Sequence, residues 1–328
     1  MDSYKGANMK ISVIIPAYNA SRFIGRSVGS VREQSFDDWE LIVVNDGSTD
    51  DTAAVCDAMA MNDPRLRVIH TDNRGAYMAR LTGLLAARGE WLTFVDADDT
   101  LPSDALASLY SGIALYEDVD IVVGGINLND KMLYRHKIDG VVRRDAYVAA
   151  MLGDGTSIGM CCKLFKRELF ASEMSAETQV SQNEDMLMLL RLATRARKVF
   201  VMSDKVCYNY IFRDGSMSGG SMPPDGWRLL FEKIGAVIAP IESPGVHRAF
   251  LTMRLRRIYS ELILKGVRVD AGMPVVDGVV KDMASTQLSD EERRIIGLVY
   301  RPVRQRVCYL KHMAWTRSKK FIKRLLGL

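Results

Sequence analysis

The feature that most constrains this chain is a rhythm. Between residues 11 and 123, short apolar, β-branched runs alternate with stretches of helical period, joined by short connections. The runs lie at 11–15, 40–44, 66–70, 91–95 and 120–123, and helices are expected at 22–34, 51–61, 76–87 and 103–116. Such alternation predicts a mostly parallel sheet with helices on both faces. In sheets of this kind ligands bind at the carboxyl ends of the strands. Ser21 is expected to cap the first helix, one of Ser48, Thr49 and Asp50 the second, and one of Asp99, Thr100 and Ser103 the fourth.

Three strand ends carry unusual residues: Pro16-Ala17-Tyr18-Asn19, Asn45-Asp46-Gly47-Ser48-Thr49-Asp50, and Asp96-Ala97-Asp98-Asp99. The third places three carboxylates within four residues of a buried strand. Taking such charge out of water is costly unless a cation or a donor receives it. Asp96 and Asp98 are spaced i, i+2, so in an extended chain their side chains leave on the same side. One can then face a sugar hydroxyl and the other a divalent cation. The same residues also suit a polar turn that caps the next helix.

Beyond residue 125 the rhythm changes. A polar hairpin or insertion is expected at 126–142, a short helix at 144–152, a strand at 159–165 and a helix at 184–196, followed by two short strands at 198–202 and 206–212. From 225 onward the pattern is helical, with candidates at 226–237, 246–265, 275–284 and 291–312. Ser218-Gly219-Gly220-Ser221-Met222-Pro223-Pro224 is the best candidate boundary, or alternatively a mobile loop.

The formal net charge of +4 is unevenly placed. Residues 301–328 hold nine Lys or Arg and no acid, which leaves 35 basic and 40 acidic residues in the other 300. An acidic body argues against nucleic acid as a partner. Five cysteines without Cys-x-x-Cys spacing argue against a disulfide framework or zinc site and read as buried thiols. No apolar segment reaches the roughly 18–20 residues of a membrane span. Residues 1–10 are polar and lack an apolar signal core, so a cytoplasmic chain is expected.

Ser12-Val13-Ile14-Ile15-Pro16-Ala17-Tyr18-Asn19, Val43-Val44-Asn45-Asp46-Gly47-Ser48-Thr49-Asp50, Asn73-Arg74-Gly75 with Ala79-Arg80, and Asp96-Ala97-Asp98-Asp99 occur in that order. This series resembles the inverting nucleotide-sugar glycosyltransferases of family 2, of the bacterial surface-polysaccharide type, over residues 10–215. The resemblance implies an α/β, GT-A fold. Residues 1–220 would be catalytic, with a nucleotide-binding part at 10–125 and an acceptor part at 126–220, and 221–328 would be helical.

The resemblance also distributes roles. Pro16, Tyr18, Asn19, Asp46, Arg80, Asp96, Ala97, Asp98, Glu184 and Arg213 would bind substrate. Asp46 would take the uracil of a UDP-sugar and Arg80 would face the nucleotide. Asp96 would face the ribose or the metal's water shell. Asp98 would ligate Mg²⁺ or Mn²⁺ on the diphosphate, as hard cations prefer oxygen. Asp185, in Asn183-Glu184-Asp185-Met186, would be the base, with Glu184 beside it. Tyr210 to Ser218 resembles a loop that closes over the diphosphate, with Arg213 on phosphate.

Two departures stand out. Leu81 replaces an Asn common after the Arg, and Cys161-Cys162 replaces the Trp-Asn of a Trp-Asn-Lys-Leu-Phe segment. The implied reaction moves one sugar from a UDP-sugar to a hydroxyl of a glycan or polyprenyl-linked acceptor. A processive synthase is disfavoured by the lack of membrane spans and of a Gln-x-x-Arg-Trp segment. A non-catalytic nucleotide-sugar-binding or scaffold protein is the alternative, against which Asp98 and Asp185 stand together. The tail interleaves its cations with Val303, Val307, Tyr309, Leu310, Met313, Trp315, Phe321, Ile322, Leu325 and Leu326. Basic amphipathic helices of that composition lie on anionic membranes, so peripheral attachment to the inner face of the cell membrane is expected. Packing of the tail on the body is the competing expectation.

Overall fold

The computed structural model describes residues 10–325, except 117, 129–131, 135, 154–155, 157–158, 171–182, 212–221, 277 and 285. The chain divides into two compact units, Met1–Ser216 and Met217–Leu328.

The first unit is built on one sheet. Strands β1 (Ile11–Ala17), β2 (Trp39–Asp46), β3 (Leu66–Thr71) and β4 (Trp91–Phe94) are joined by helices α1 (Ile24–Arg32), α2 (Thr52–Ala60) and α3 (Ala76–Ala86). After α4 (Ala105–Ala114) come β5 (Val119–Leu128), β6 (Met132–Tyr134), β7 (Gly140–Arg143), α5 (Arg144–Leu152), β8 (Lys163–Lys166), α6 (Glu184–Arg195) and β9 (Lys198–Tyr210). The order across the sheet is β3-β2-β1-β4-β8-β5-β9-β7, with β6 on β5. The pairs β2–β3, β1–β2, β1–β4 and β5–β9 are parallel, whereas β8 runs antiparallel to both neighbours.

β1 and β2 are almost wholly buried, which is why their sequences read as continuous apolar runs. Their registers bring Ala17 opposite Asn45, and Asp46 opposite Thr71. In the β1–β4 pair Ile14 lies opposite Phe94, so the ends of β1, β2 and β4, the three expected to bear ligand, meet at one edge of the sheet.

Several expected boundaries are corrected. Ser21 does not cap α1: Phe23 occupies that position, and the Ser21 N–H donates to Asp50 Oδ2 instead. α2 begins at Thr52, whose N–H bonds Asp50 Oδ1 at 3.0 Å. At α4 none of Asp99, Thr100 and Ser103 is the cap. The residue there is Asp104, and Gln34 Oε1, 72 residues away, accepts the Leu106 N–H at 2.9 Å. The two short strands expected at 198–212 are one 13-residue strand, β9.

The second unit contains α7 (Pro224–Ile238), α8 (Pro244–Arg257), α9 (Val279–Ala284), α10 (Asp290–Val299) and α11 (Pro302–Leu325). The long helix expected at 246–265 ends as a π turn, Ile258–Leu262, then a 3-10 turn, Ile263–Lys265, with Gly266 left-handed behind it. The helix expected at 291–312 is two helices. Pro302 has no N–H to continue α10 and biases Arg301 away from helical dihedrals, so the chain restarts. Ser289 and Glu292 form a reciprocal cap at the start of α10.

α11 has two faces. On one, buried Gln305 donates to Val269 O and Leu298 O and accepts from the Val269 N–H. On the other, Val303, Val307 and Leu310 are 78%, 46% and 55% exposed, and Trp315, further round the helix, is 55% exposed. Among the described residues, no helix is long and apolar enough to cross a membrane.

Candidate active site

One side of the candidate site is assembled by three loops that hold one another. Asn19, left-handed at φ 49°, accepts the Thr49 N–H on Oδ1 at 2.8 Å, while its own N–H bonds Ser48 Oγ at 3.0 Å. The loop after β1 is thereby tied to the loop after β2. Asp46 is 3% exposed and grips the turn before α3: Oδ1 accepts from the Arg74 N–H at 3.0 Å and from Thr71 Oγ1 at 3.3 Å, and Oδ2 from the Gly75 N–H at 2.8 Å. A carboxylate offers about four acceptor positions, so one remains for a ligand donor. Pro16 is half-buried, and Tyr18 is exposed at the rim.

Gly47 makes this packing possible. Its φ is +66°, and a Cβ there would lie 2.5 Å from the Asn73 backbone nitrogen. Gly47→Ala should therefore separate the two loops and lower the melting temperature, because backbone, unlike a side chain, cannot swing away. A melting temperature within 1 °C of wild type would contradict this packing.

The acids after β4 divide their work. Asp99 is 2% exposed and structural. Its Oδ2 accepts from the Tyr208 hydroxyl at 2.8 Å and its Oδ1 from the Ile211 N–H at 2.8 Å. Tyr208 in turn accepts the Asp96 N–H at 3.1 Å. This set clamps the end of β9 beneath the acidic turn. Burial pushes the Asp99 carboxyl up to about 6, against the opposing hydrogen bonds from Ile211 and Tyr208. Both its oxygens are engaged by the end of β9, so the helix-capping role expected of it is replaced by this clamp.

Asp96 and Asp98 are half-buried. Asp96 Oδ1 meets Arg80 Nη2 at 3.3 Å, and Arg80 Nη1 meets Glu184 Oε1 at 3.5 Å. Arg80 thus bridges the turn after β4 to the start of α6. It is 8% exposed, and its Nε has no hydrogen-bond partner among the described residues. Burial works against its charge, but Asp96, Asp185 and Glu184 outweigh burial and raise it above the usual guanidinium range.

α6 starts behind a left-handed Asn183, which turns the chain so that Glu184 and Asp185 lie in its first turn. Asp185 Oδ1 accepts the Met186 N–H at 2.7 Å. A Cβ added to Gly159 would sit 3.7 Å from Asp185 Oδ2 and 3.6 Å from Cys161 Sγ, so the second oxygen lies over a bare glycine. Burial raises the Asp185 carboxyl above its ordinary value and Asp96 adds to the rise, while Arg80, the Met186 N–H and Lys163 oppose it. Burial and Asp185 likewise raise Glu184, opposed by Arg80.

Asp46, Arg80, Asp96, Ala97, Asp98, Glu184 and Asp185 all stand at the carboxyl edge of the sheet or on the helices that leave it. Asn19 reaches them through Ser48 and Thr49. Arg213 lies outside the described residues. Sequence reasoning passed over Tyr208 and Lys163. Lys163 carries a signal: it is a charge inside an apolar strand, between Cys161-Cys162 and Leu164-Phe165.

Among the described residues, no three His, Cys, Asp or Glu gather as a protein-only metal cage. A hard cation held by one or two carboxylates together with substrate phosphates needs no such cage. The half-buried carboxylate of Asp98 fits that kind of site.

This architecture is an α/β nucleotide-sugar transferase fold of the GT-A kind. It resembles residues 1–349 of S. aureus TarS in complex with UDP-GlcNAc, with a TM-score of 0.69 at 20% identity, over 93% of this chain and 89% of that one. It also resembles the mannosyltransferase PcManGT from Pyrobaculum calidifontis in complex with GDP-Man and Mn2+, with a TM-score of 0.56 at 19% identity, over 95% of this chain and 87% of that one.

Residues 12–172 match glycosyl transferase family 2, so this segment is a glycosyl transferase family 2 domain. A poly(ribitol-phosphate) beta-glucosyltransferase from Bacillus spizizenii is 30% identical over 241 residues, covering 70% of this chain and 37% of that protein. The chain spans 38%, 31% and 32% of the length of three further curated relatives, so it matches only a part of each.

Proposed function

We propose that this chain is an inverting glycosyltransferase that moves a single sugar from a UDP-sugar to a hydroxyl of a glycan or lipid-linked acceptor in surface polysaccharide or glycoconjugate assembly. The observation that carries the reading is the state of Asp185. One of its oxygens is tied to the Met186 N–H, and the other lies over Gly159. A fixed carboxylate with one oxygen available has the form of a general base.

In this reading Asp46 uses its remaining acceptor position for the uracil N–H, and the Asn19–Thr49 tie holds the loops around the base. Tyr18 lies against the base or ribose from the rim. Arg80 keeps Asp96 and Glu184 in place and faces the nucleotide with its charge. Asp98 would hold Mg²⁺ or Mn²⁺, which supplies neutralisation of the charge on the departing diphosphate. Asp185 accepts the proton of the acceptor hydroxyl. That oxygen bonds to the anomeric carbon as the bond to the diphosphate breaks, and UDP leaves with the electron pair. A single displacement of this kind inverts the anomeric configuration.

UDP with Mn²⁺ should raise the melting temperature, and removal of the metal with EDTA should reverse most of the rise. Asp98→Asn should lose the metal-dependent part. Stabilisation by neither UDP nor any UDP-sugar, with or without metal, would favour a scaffold role or a different nucleotide.

The second unit suggests where the enzyme works. The exposed face of α11 presents Val303, Val307 and Leu310, flanked by exposed Arg304, Arg306 and Lys311, with exposed Trp315 beyond the cations. An apolar stripe between cations suits the surface of an anionic bilayer, near a polyprenyl-linked acceptor on the cytoplasmic side. Deleting 301–328 should release the protein from phosphatidylglycerol-containing vesicles. Unchanged sedimentation would end the membrane reading.

A further inference from the structure

Lys163 is the residue the proposed reaction leaves unused, and its setting is unusual. It is 0% exposed, on a strand paired on both sides, opposite Val123 of β5. Its ammonium donates to Gly159 O at 2.7 Å and to Cys161 O at 3.3 Å. A lysine is almost never fully buried without a reason, because its charge is costly to desolvate. These two bonds hold the segment that passes beside Asp185. The Phe94–Cys161 bridge pins the same segment to the end of β4, next to Asp96.

We propose that Lys163 is a positioning residue for the reaction: from beneath the acceptor side it holds the Gly159–Cys161 backbone against Asp185 and supplies a second positive charge to the base. This rests on the reading of Asp185 as base. The charged groups that act on Asp185 are Arg80 from α3, Asp96 from the turn after β4, and Lys163 from β8, with Glu184 its neighbour on α6. Arg80 is already divided between Asp96 and Glu184. Lys163 is a further cation acting on Asp185, and it reaches the base's surroundings through its bond to Gly159 O. Burial pulls its ammonium below the usual lysine range, and Asp185 is among the groups that oppose the fall. The attraction is mutual: the lysine keeps the base ionised, and the base keeps the lysine charged.

Two variants separate its two roles. Lys163→Gln keeps a donor for the carbonyls and removes the charge, whereas Lys163→Met removes both. Asp185 acts only when ionised, so activity falls as pH drops through its pKa. Losing a nearby positive charge raises that pKa. In both variants the acid limb of the kcat profile should therefore move to higher pH, by less than the shift from losing Arg80, the stronger of the two cations on Asp185. Only Lys163→Met should also raise the acceptor KM, because only there is the Gly159 segment released. UDP affinity should stay within about twofold in both, since no nucleotide contact is touched.

An acid limb that stays in place in either folded variant overturns the inference. If neither variant folds, protein carrying ¹³C at lysine Cε gives the answer. The buried lysine signal should shift on Asp185→Asn, and a signal indifferent to Asp185 overturns the proposal. Failure of the underlying reading would look different: Asp185→Asn would then retain turnover whatever Lys163 does.

Discussion

Asp185→Asn is expected to lower transfer from a UDP-sugar by about 10²- to 10⁴-fold, the range general base catalysis contributes, and to leave UDP binding nearly unchanged. Asparagine keeps an oxygen for the Met186 N–H, so the first turn of α6 should survive. What is lost is a basic oxygen over Gly159. Removing one of the clustered acids also relieves Glu184, whose carboxyl Asp185 raises. The variant should therefore be as stable as wild type, or more so, at neutral pH. Near-normal turnover would refute the assignment of the base.

Arg80→Met should produce the second large effect. It removes the cation shared by Asp96 and Glu184 and felt by Asp185. Removing the buried guanidinium leaves two partly exposed carboxylates uncompensated and should cost about 1–3 kcal/mol. The loss should depend on pH in a definite direction. Glu184 and Asp185 have folded pKa values above their ordinary ones, so their ionised forms cost stability. A raised carboxyl contributes stability that is fully present below its unfolded pKa and is lost as pH rises through the folded pKa. Without Arg80 both values climb further. The gap in melting temperature between Arg80→Met and wild type should therefore narrow as pH falls from 7 to 4. The acid limb of transfer should move to higher pH as well. A gap that is constant with pH would mean that Arg80 acts by packing alone.

Much of the first unit was legible because burial of both sheet faces forces continuous apolar strands, and because the polar residues that interrupt them sit at strand ends. What the sequence hid was action at a distance. Nothing local links Asp99 to Tyr208, 109 residues on, or Gln34 to the Leu106 N–H. Asp99 therefore read as a cap for its own helix, when its partners lie at the end of β9. Asp46 was legible as a strand-end acid, but its grip on the Arg74 and Gly75 N–H groups depends on how the turn folds back over β2. Lys163 shows in the sequence as a charge inside an apolar strand, but only the carbonyls of Gly159 and Cys161 explain it. The break at Pro302 was available from sequence, but the unbroken apolar pattern across 291–312 outweighed it.

The most direct test needs no acceptor. A UDP-α-sugar that stabilises the protein can be incubated with it and Mn²⁺ in water, and the anomer of the released sugar followed by ¹H NMR before mutarotation. Inversion with Asp185 as base predicts that the β anomer appears first and that Asp185→Asn abolishes its release. An α anomer as first product, or release undiminished in Asp185→Asn, would contradict it.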